Sequence, residues 1–389
     1  MAQTVIIDIG STSVGGAILE VPKHKSGGEL CNHLVASVRN ETTFQEDIDL
    51  PRYLDGIVEV LKKTLADLAK TTKGKPAAVQ CFLSAPFYAS RTQEILKTEA
   101  KPFTVTAKVV SDLVAADVGR FKEAQPHLFK EGDDSNTHQV VENEILRLAL
   151  NGYELAQPYR QSAEELAITS YLSIAASPII ERFRQAVAAQ WHGLTPEFNT
   201  FSYAFYKALM LVIADKKNFL ILDIGGEITE ISIVWRGLLW RSISFPLGHN
   251  WLIRELTKKF ATTPAEIMSS LKLYLDSAQH TGVAAKMEKE LATAKEEWLT
   301  AFREALTKIL DSCILPENVF VLAEPVMVNI FRAWLKEEQF EHLTISNKKF
   351  EVNVLKDDVF GSFCVHGDTA IHDFTLMVEA IFCDKISKV

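Results

Sequence analysis

The chain has no apolar run near the ~20 residues that a bilayer-spanning helix needs; its longest apolar stretches are strand-length and bounded by charge. A spanning helix is therefore excluded, and any membrane role has to pass through a partner or an interfacial helix. Basic charge is scarce as well. Over 389 residues, 41 Lys and Arg stand against 50 Asp and Glu, a net charge of −9, which excludes general nucleic-acid binding through a basic footprint. Cysteine is rare and unpatterned: Cys31, Cys81, Cys313, Cys364 and Cys383 are odd in number and lack CxxC spacing, as buried thiols in a reducing compartment would be. The N-terminus lacks the basic flank, apolar core and small-residue cleavage site of a secretory signal, so the expected location is cytoplasmic. Gly-x-Ser-x-Gly, Gly-x-x-x-x-Gly-Lys-Ser/Thr and solenoid repeats are all missing.

What is present is one device used twice. Val5-Ile6-Ile7-Asp8-Ile9-Gly10-Ser11-Thr12-Ser13 and Phe219-Leu220-Ile221-Leu222-Asp223-Ile224-Gly225-Gly226-Glu227-Ile228-Thr229 each run an apolar strand into Asp-Ile-Gly, a polar turn and a second strand. The strand delivers a carboxylate to a sheet edge, glycine permits the tight turn, and the exposed amides of the turn can face an anion. Each copy reads as half of a phosphate clamp, with Ser11, Thr12 and Ser13 adding hydroxyls. Asp8 and Asp223 are candidates to hold a magnesium ion through its waters, since that ion keeps a mostly aqueous octahedral shell with few carboxylates.

Around these turns the pattern is α/β. A stripe of Leu54, Ile57, Val58, Leu61, Leu65 and Leu68 predicts a helix after Pro51, and Ala77 to Leu83 reads as a strand. Val105 to Phe121 reads as a helix, Lys23 to Glu29 and Lys130 to Gln139 as loops, and Glu144 to Leu150 as a strand entering the Asn151-Gly152 turn, with Glu165 to Ala175 its partner. Helices are predicted from Pro178 to Trp191, Phe201 to Ile213, Pro264 to Leu275 (with a Thr263/Glu266 capping box), Val283 to Leu310 and Phe374 to Phe382. The halves are related by this motif alone.

The paired Asp-x-Gly hairpins, one at the N-terminus and one past mid-chain, resemble the phosphate motifs of the actin-like ATPase superfamily. Asn151-Gly152-Tyr153 with Pro158, and Arg241 with Pro246-Leu247-Gly248, resemble its FtsA and PilM group. The resemblance implies two ribonuclease-H-like halves around a nucleotide cleft, with an inserted strand-helix-strand-strand subdomain. The first domain is expected at 1–85 and 176–214, the insertion at 86–175, the second domain at 215–250 and 313–389, and its helical subdomain at 251–312. The implied ligand is ATP or ADP with magnesium, held by Asp8, Gly10, Ser11, Thr12, Ser13, Asp223, Gly225, Gly226 and Thr229, with Glu266 at the ribose and Ala323 at the adenosine motif. The implied role is a cytoplasmic scaffold recruited to the inner face of the cell membrane by a membrane-anchored protein segment, in pilus assembly or cell division. Self-association is a further possibility of such folds. The chain ends directly after the expected last core helix, without the amphipathic tail of FtsA.

Some positions depart from the family pattern. Ala323-Glu324-Pro325 replaces the glycines of the adenosine motif, Glu227 stands at a phosphate-loop glycine, and Ser269 replaces a ribose-site lysine. Phe201-Ser202-Tyr203-Ala204 offers no carboxylate or amide to orient an attacking water, so the expectation is a slow ATPase or none. Two other classes fit the same fold: a small-molecule kinase, which needs a catalytic aspartate in the cleft, and a nucleotide-free interaction module. Docking is expected on the 86–175 insertion or the neighbouring cleft, by strand addition to Glu144–Leu150 or Glu165–Ala175 if either is an edge.

Overall fold

The computed structural model describes residues 3–385 except 21–31, 125–137, 156, 214, 277–281, 311–314, 339, 345–346, 356 and 361–363. The two loops expected at Lys23–Glu29 and Lys130–Gln139 fall wholly or largely outside the described residues; Gln139 itself lies in a strand. Three strands open the chain, Gln3–Ile9 (β1), Ser13–Glu20 (β2) and Asn32–Glu41 (β3), followed by Leu50–Ala69 (α1) and Ala78–Leu83 (β4). An insertion follows: Ala89–Thr104 (β5), Ala107–Ala124 (α2), His138–Leu150 (β6), Tyr153–Glu154 (β7) and Ser162–Ala176 (β8). Ser177–Gln190 (α3), Glu197–Thr200 (β9) and Phe201–Val212 (α4) complete the first half. The second half holds Phe219–Ile224 (β10), Thr229–Trp235 (β11), Leu238–Phe245 (β12), His249–Phe260 (α5), Pro264–Asp276 (α6) and Gly282–Leu310 (α7). Asn318–Ala323 (β13), Val328–Glu337 (α8), Glu351–Val354 (β14), Cys364–Thr369 (β15) and Phe374–Lys385 (α9) close it.

The main sheets run β15-β3-β2-β1-β4-β9 and β12-β11-β10-β13-β14. Without β15 both have the same order, in which an antiparallel meander meets parallel strands beside its first member. The halves therefore share a whole topology, which corrects the reading that they are related by motif alone. Buried strands carry interchangeable Val, Ile, Leu and Phe, so their order leaves no trace in residue identity.

Helix α1 covers one face of the first sheet with Leu54, Ile57, Leu61 and Leu65, its start capped by Asp49, which accepts from the Arg52 amide at 3.0 Å. Helices α4 and α9 fill the seam between the sheets. Phe205 and Leu209 of α4, with Leu376 and Phe382 of α9, share one core with Ile6 and Phe82 of the first sheet and Phe219, Ile221 and Phe320 of the second. Each such side chain, fully buried, contributes about 1.5–3 kcal/mol, so the halves are joined by packing as well as by polar contacts.

The insertion is the expected strand-helix-strand-strand unit with a short extra strand, in the order β5-β8-β6-β7. Asn151 and Gly152 both have positive φ, 49° and 82°, the backbone that the tight hairpin demands. Helix α2 covers one face through Val110 and Val114 against Ile95, Leu166 and Ile168. Strand β8 lies between β5 and β6, so its Glu165–Ala175 stretch is not an edge. On its outer side β6 pairs with β7 only at Ala149 and Leu150, among the described residues.

Candidate functional site

The two Asp-x-Gly turns have the same internal geometry. Gly10 N donates to Ser13 O at 3.0 Å, and Gly225 N donates to Ile228 O at 3.0 Å. A Cβ at either glycine would lie 3.1 Å from that carbonyl oxygen, a tight approach that glycine avoids. The turns meet. A Cβ on Gly226 would fall 2.0 Å from Thr12 Cγ2, and Ser11 Oγ accepts from the Glu227 amide at 3.1 Å. The carbonyls of the second turn cap α5: His249 N donates to Gly225 O at 2.9 Å and Asn250 N to Gly226 O at 2.8 Å, with Gly248 pressed so close that a Cβ would overlap them.

Charges at the turns meet opposite charges, but one Arg39 serves two acids and Asp8 Oδ1 is buried without a partner among the described residues. Asp8 is 3% exposed and accepts from Arg39 Nη2 at 2.8 Å; Arg39 also donates to Ser13 Oγ at 2.9 Å and pairs with Asp373 through Nε at 2.7 Å. Burial raises the Asp8 pKa, against the pull of Arg39, while its two acid partners raise the Arg39 pKa in spite of burial. Glu227 faces Arg254 in a two-pronged pair, 2.5 Å from Nη2 and 3.1 Å from Nη1, and accepts from Asn250 Nδ2 at 3.0 Å. Its charge thus meets a cation and does not stand bare beside the turn.

Behind the turns lies an acidic pair. Asp223 of β10 is directly opposite Glu230 of β11, and burial foremost, then this like-charge neighbour, pushes Asp223 up to about 8. Glu230 is pushed up to about 7 by burial. Its carboxyl lies 2.7 and 2.9 Å from the Tyr88 hydroxyl, which sits 2.7 Å from Ser202 Oγ. A phenol has one proton, so Tyr88 donates to the carboxylate and accepts from Ser202. Tyr88 and Ser202 belong to the first half and Glu230 to the second, so the triad is a polar clasp across the seam. Glu379 of α9 is wholly buried, both carboxyl oxygens lack a partner among the described residues, and burial holds its pKa well above the ordinary value.

Asp8, Ser11, Thr12, Ser13, Asp223, Gly225, Gly226 and Thr229 thus gather at the seam, Thr229 donating to Leu247 O at 2.7 Å. Ala323 ends β13 opposite Ile224, and the Glu324 carboxylate accepts from the Val326 and Met327 amides at 2.8 and 3.1 Å, closing the turn that leads into α8. Glu266 is exposed and committed to its own capping box, accepting from the Thr263 amide at 3.0 Å; hydrogen bonds from Thr262 and Thr263 hold its pKa down at about 2. A cavity of about 330 Å³ opens beside Glu227 and Asn250, walled by Phe44, Arg52 and Tyr53; neither Asp8 nor Asp223 lines it. Sequence reasoning missed Arg39, Arg254, Tyr88, Glu230 and Asp373. Gly15 was the available signal, a glycine inside a strand between an acid and a basic residue on its neighbours.

No family model and no curated protein sequence matches the chain. Among solved structures it is similar to one of the PilM-PilN type IV pilus biogenesis complex, with 14% identity over 97% of this chain and 95% of that chain and a TM-score of 0.59. Looser likenesses, which carry no argument, are to the ethanolamine utilization protein EutJ from Carboxydothermus hydrogenoformans (12% identity, 98% and 90% covered, TM-score 0.44) and an exopolyphosphatase from Cytophaga hutchinsonii (11%, 87% and 70%, 0.38). At such identity the likeness is one of fold. The fold is the two-domain actin-like one, as the resemblance implied.

Proposed function

We propose that this protein is an actin-like scaffold of the PilM kind, which docks a segment of a membrane-anchored partner and turns over ATP slowly or not at all. The single observation that supports it best is the likeness to PilM over 97% of the chain, which includes the inserted sheet. The partner is carried over by analogy of fold from the PilM-PilN complex. On the insertion, the face of the sheet away from α2 has a cavity of about 350 Å³ lined by Glu94, Leu96, Arg147 and Ala167, with Leu96 59% exposed; Tyr153, 74% exposed, stands on β7 opposite Leu150, at the hairpin end of β6. An underpaired β6 edge with exposed Tyr153 at its hairpin end, and exposed Leu96 two strands away on β5, suit an extended segment that adds to β6 and reaches over the sheet. Recruitment to the inner face of the membrane follows from such a partner, since no described helix is long and apolar enough to cross a membrane.

Nucleotide enters this reading as a conformational ligand. Phosphate reaching both turns has to displace Ser11 from the Glu227 amide and part Thr12 from Gly226, so binding is coupled to opening of the seam. Ser202, near the start of α4, is engaged by Tyr88 and is a hydroxyl, not the carboxylate or amide that would orient an attacking water, in keeping with slow hydrolysis. A nucleotide-free form of the same scaffold is favoured by the Ser11 contact, which already satisfies the Glu227 amide. Calorimetric titration with ATP and ADP separates these two forms. For the scaffold itself, the purified protein should sediment with inner-membrane vesicles from its source cells and release phosphate far more slowly than a sugar kinase. Brisk phosphate release, or no vesicle binding, contradicts the proposal.

A further inference from the structure

Asp8 on β1, Gly15 on β2 and Arg39 on β3 form one row across the first sheet, because Asp8 pairs with Gly15 and Gly15 with Arg39. The missing side chain at Gly15 is what lets the guanidinium lie over β2; a Cβ there would come within 2.6 Å of Arg39 Nη2. Arg39 spends four of its N–H donors on this seat: one to Asp8 at 2.8 Å, one to Ser13 Oγ at 2.9 Å, and two to Asp373 at 2.7 and 3.1 Å. Asp373 in turn caps α9, its carboxylate accepting from the Leu376 amide at 3.2 Å.

A hydrated magnesium ion at the first turn would use the Asp8 carboxylate and the nearby hydroxyls, in near-ideal octahedral geometry. Those residues do not fit it. One Asp8 oxygen and the Ser13 hydroxyl already accept from Arg39; the other Asp8 oxygen is buried without a partner among the described residues, and a divalent ion on it would stand against a fixed positive charge. Among the described residues no group of three or more His, Cys, Asp or Glu is disposed to hold a metal ion.

We infer that Arg39 is the resident cation of the first phosphate turn, so that this protein excludes divalent metal from the site and any phosphate taken up there is countered by a guanidinium. The inference does not depend on nucleotide binding, because the probe is Mn²⁺ alone. Free Mn²⁺ is read by electron paramagnetic resonance with wild type, Arg39→Met, Asp8→Asn and the double variant R39M/D8N. Wild type should leave the signal unchanged. R39M exposes Asp8 and Asp373 as a bare acidic pair, and should take up Mn²⁺ at least about tenfold more tightly than wild type, an uptake that D8N removes in the double variant. Arg39→Gln, which drops the charge but keeps a donor for Ser13, gives the same reading should R39M not fold. Wild-type binding of Mn²⁺ that is lost in D8N overturns the inference, as does a folded R39M or R39Q that takes up no Mn²⁺.

Discussion

Replacing Glu230 by Gln tests the clasp across the seam. The wild-type carboxyl is 7% exposed, touches Tyr88 at 2.7 Å, faces Asp223 across the strand pair, and is pushed up to about 7. An unfolded chain releases the same proton near pH 4.3. Because the folded protein holds it to higher pH, the stability it contributes is complete below about pH 4 and declines as the pH rises toward 7. The slope for one proton is about 1.4 kcal/mol per pH unit, so Glu230 alone accounts for a fall of about 2 kcal/mol between pH 5 and 7. Asp223, pushed up to about 8, and Glu142, pushed up to about 7 where it accepts from Ser173 and the Thr200 amide, act in the same direction. Urea unfolding at half-unit steps from pH 5 to 8 should therefore show stability falling with pH. Glu230→Gln keeps an acceptor for Tyr88 and should flatten the slope below pH 7 by about 1.4 kcal/mol per pH unit. An unchanged slope in E230Q, or wild-type stability that rises from pH 5 to 8, refutes the reasoning.

Arg254→Met leaves the Glu227 carboxylate buried without its cation and should cost about 3–5 kcal/mol, read from the urea midpoint, while E227Q/R254M should recover much of that loss. Gly226→Ala drives a methyl into Thr12 and should cost about 1–3 kcal/mol, a loss that Thr12→Gly in the same chain reverses by making room. Glu324→Ala removes the acceptor of the Val326 and Met327 amides, and its thermal midpoint should drop by the equivalent of about 1 kcal/mol.

Much of the fold was legible because its elements carry local signals. The α1 stripe, the Asn151-Gly152 hairpin and the Thr263/Glu266 capping box each act within a few residues, and each lies where expected. The duplicated Asp-x-Gly turn was legible for the same reason. The long strand β5 was not placed. Its burial is mostly intermediate or exposed, with Glu94, Lys97, Glu99 and Lys101 among its residues, so it lacks the apolar alternation that announces a strand. Short β9 offers only Glu197 to Thr200, too little for any period. At the seam, Asp8 meets Arg39 across 31 residues, Arg39 meets Asp373 across 334, and Glu230 meets Tyr88 across 142. Such pairings are set by sheet order and by how the halves close, which no local pattern encodes. Glu227 and Glu324 read from sequence as departures from the family pattern; in the fold one answers Arg254 and the other closes the turn before α8.

The central claim is that the inserted sheet recruits this scaffold to a membrane-anchored partner. Leu96 and Tyr153 are exposed and can be replaced by Asp with little effect on the core. Fluorescence microscopy of the tagged full-length chain in its source cells, wild type beside L96D/Y153D, is the direct measurement. The account predicts wild type at the membrane and the double variant spread through the cytoplasm at equal abundance. A double variant that remains at the membrane, or a wild type that never reaches it, contradicts the account.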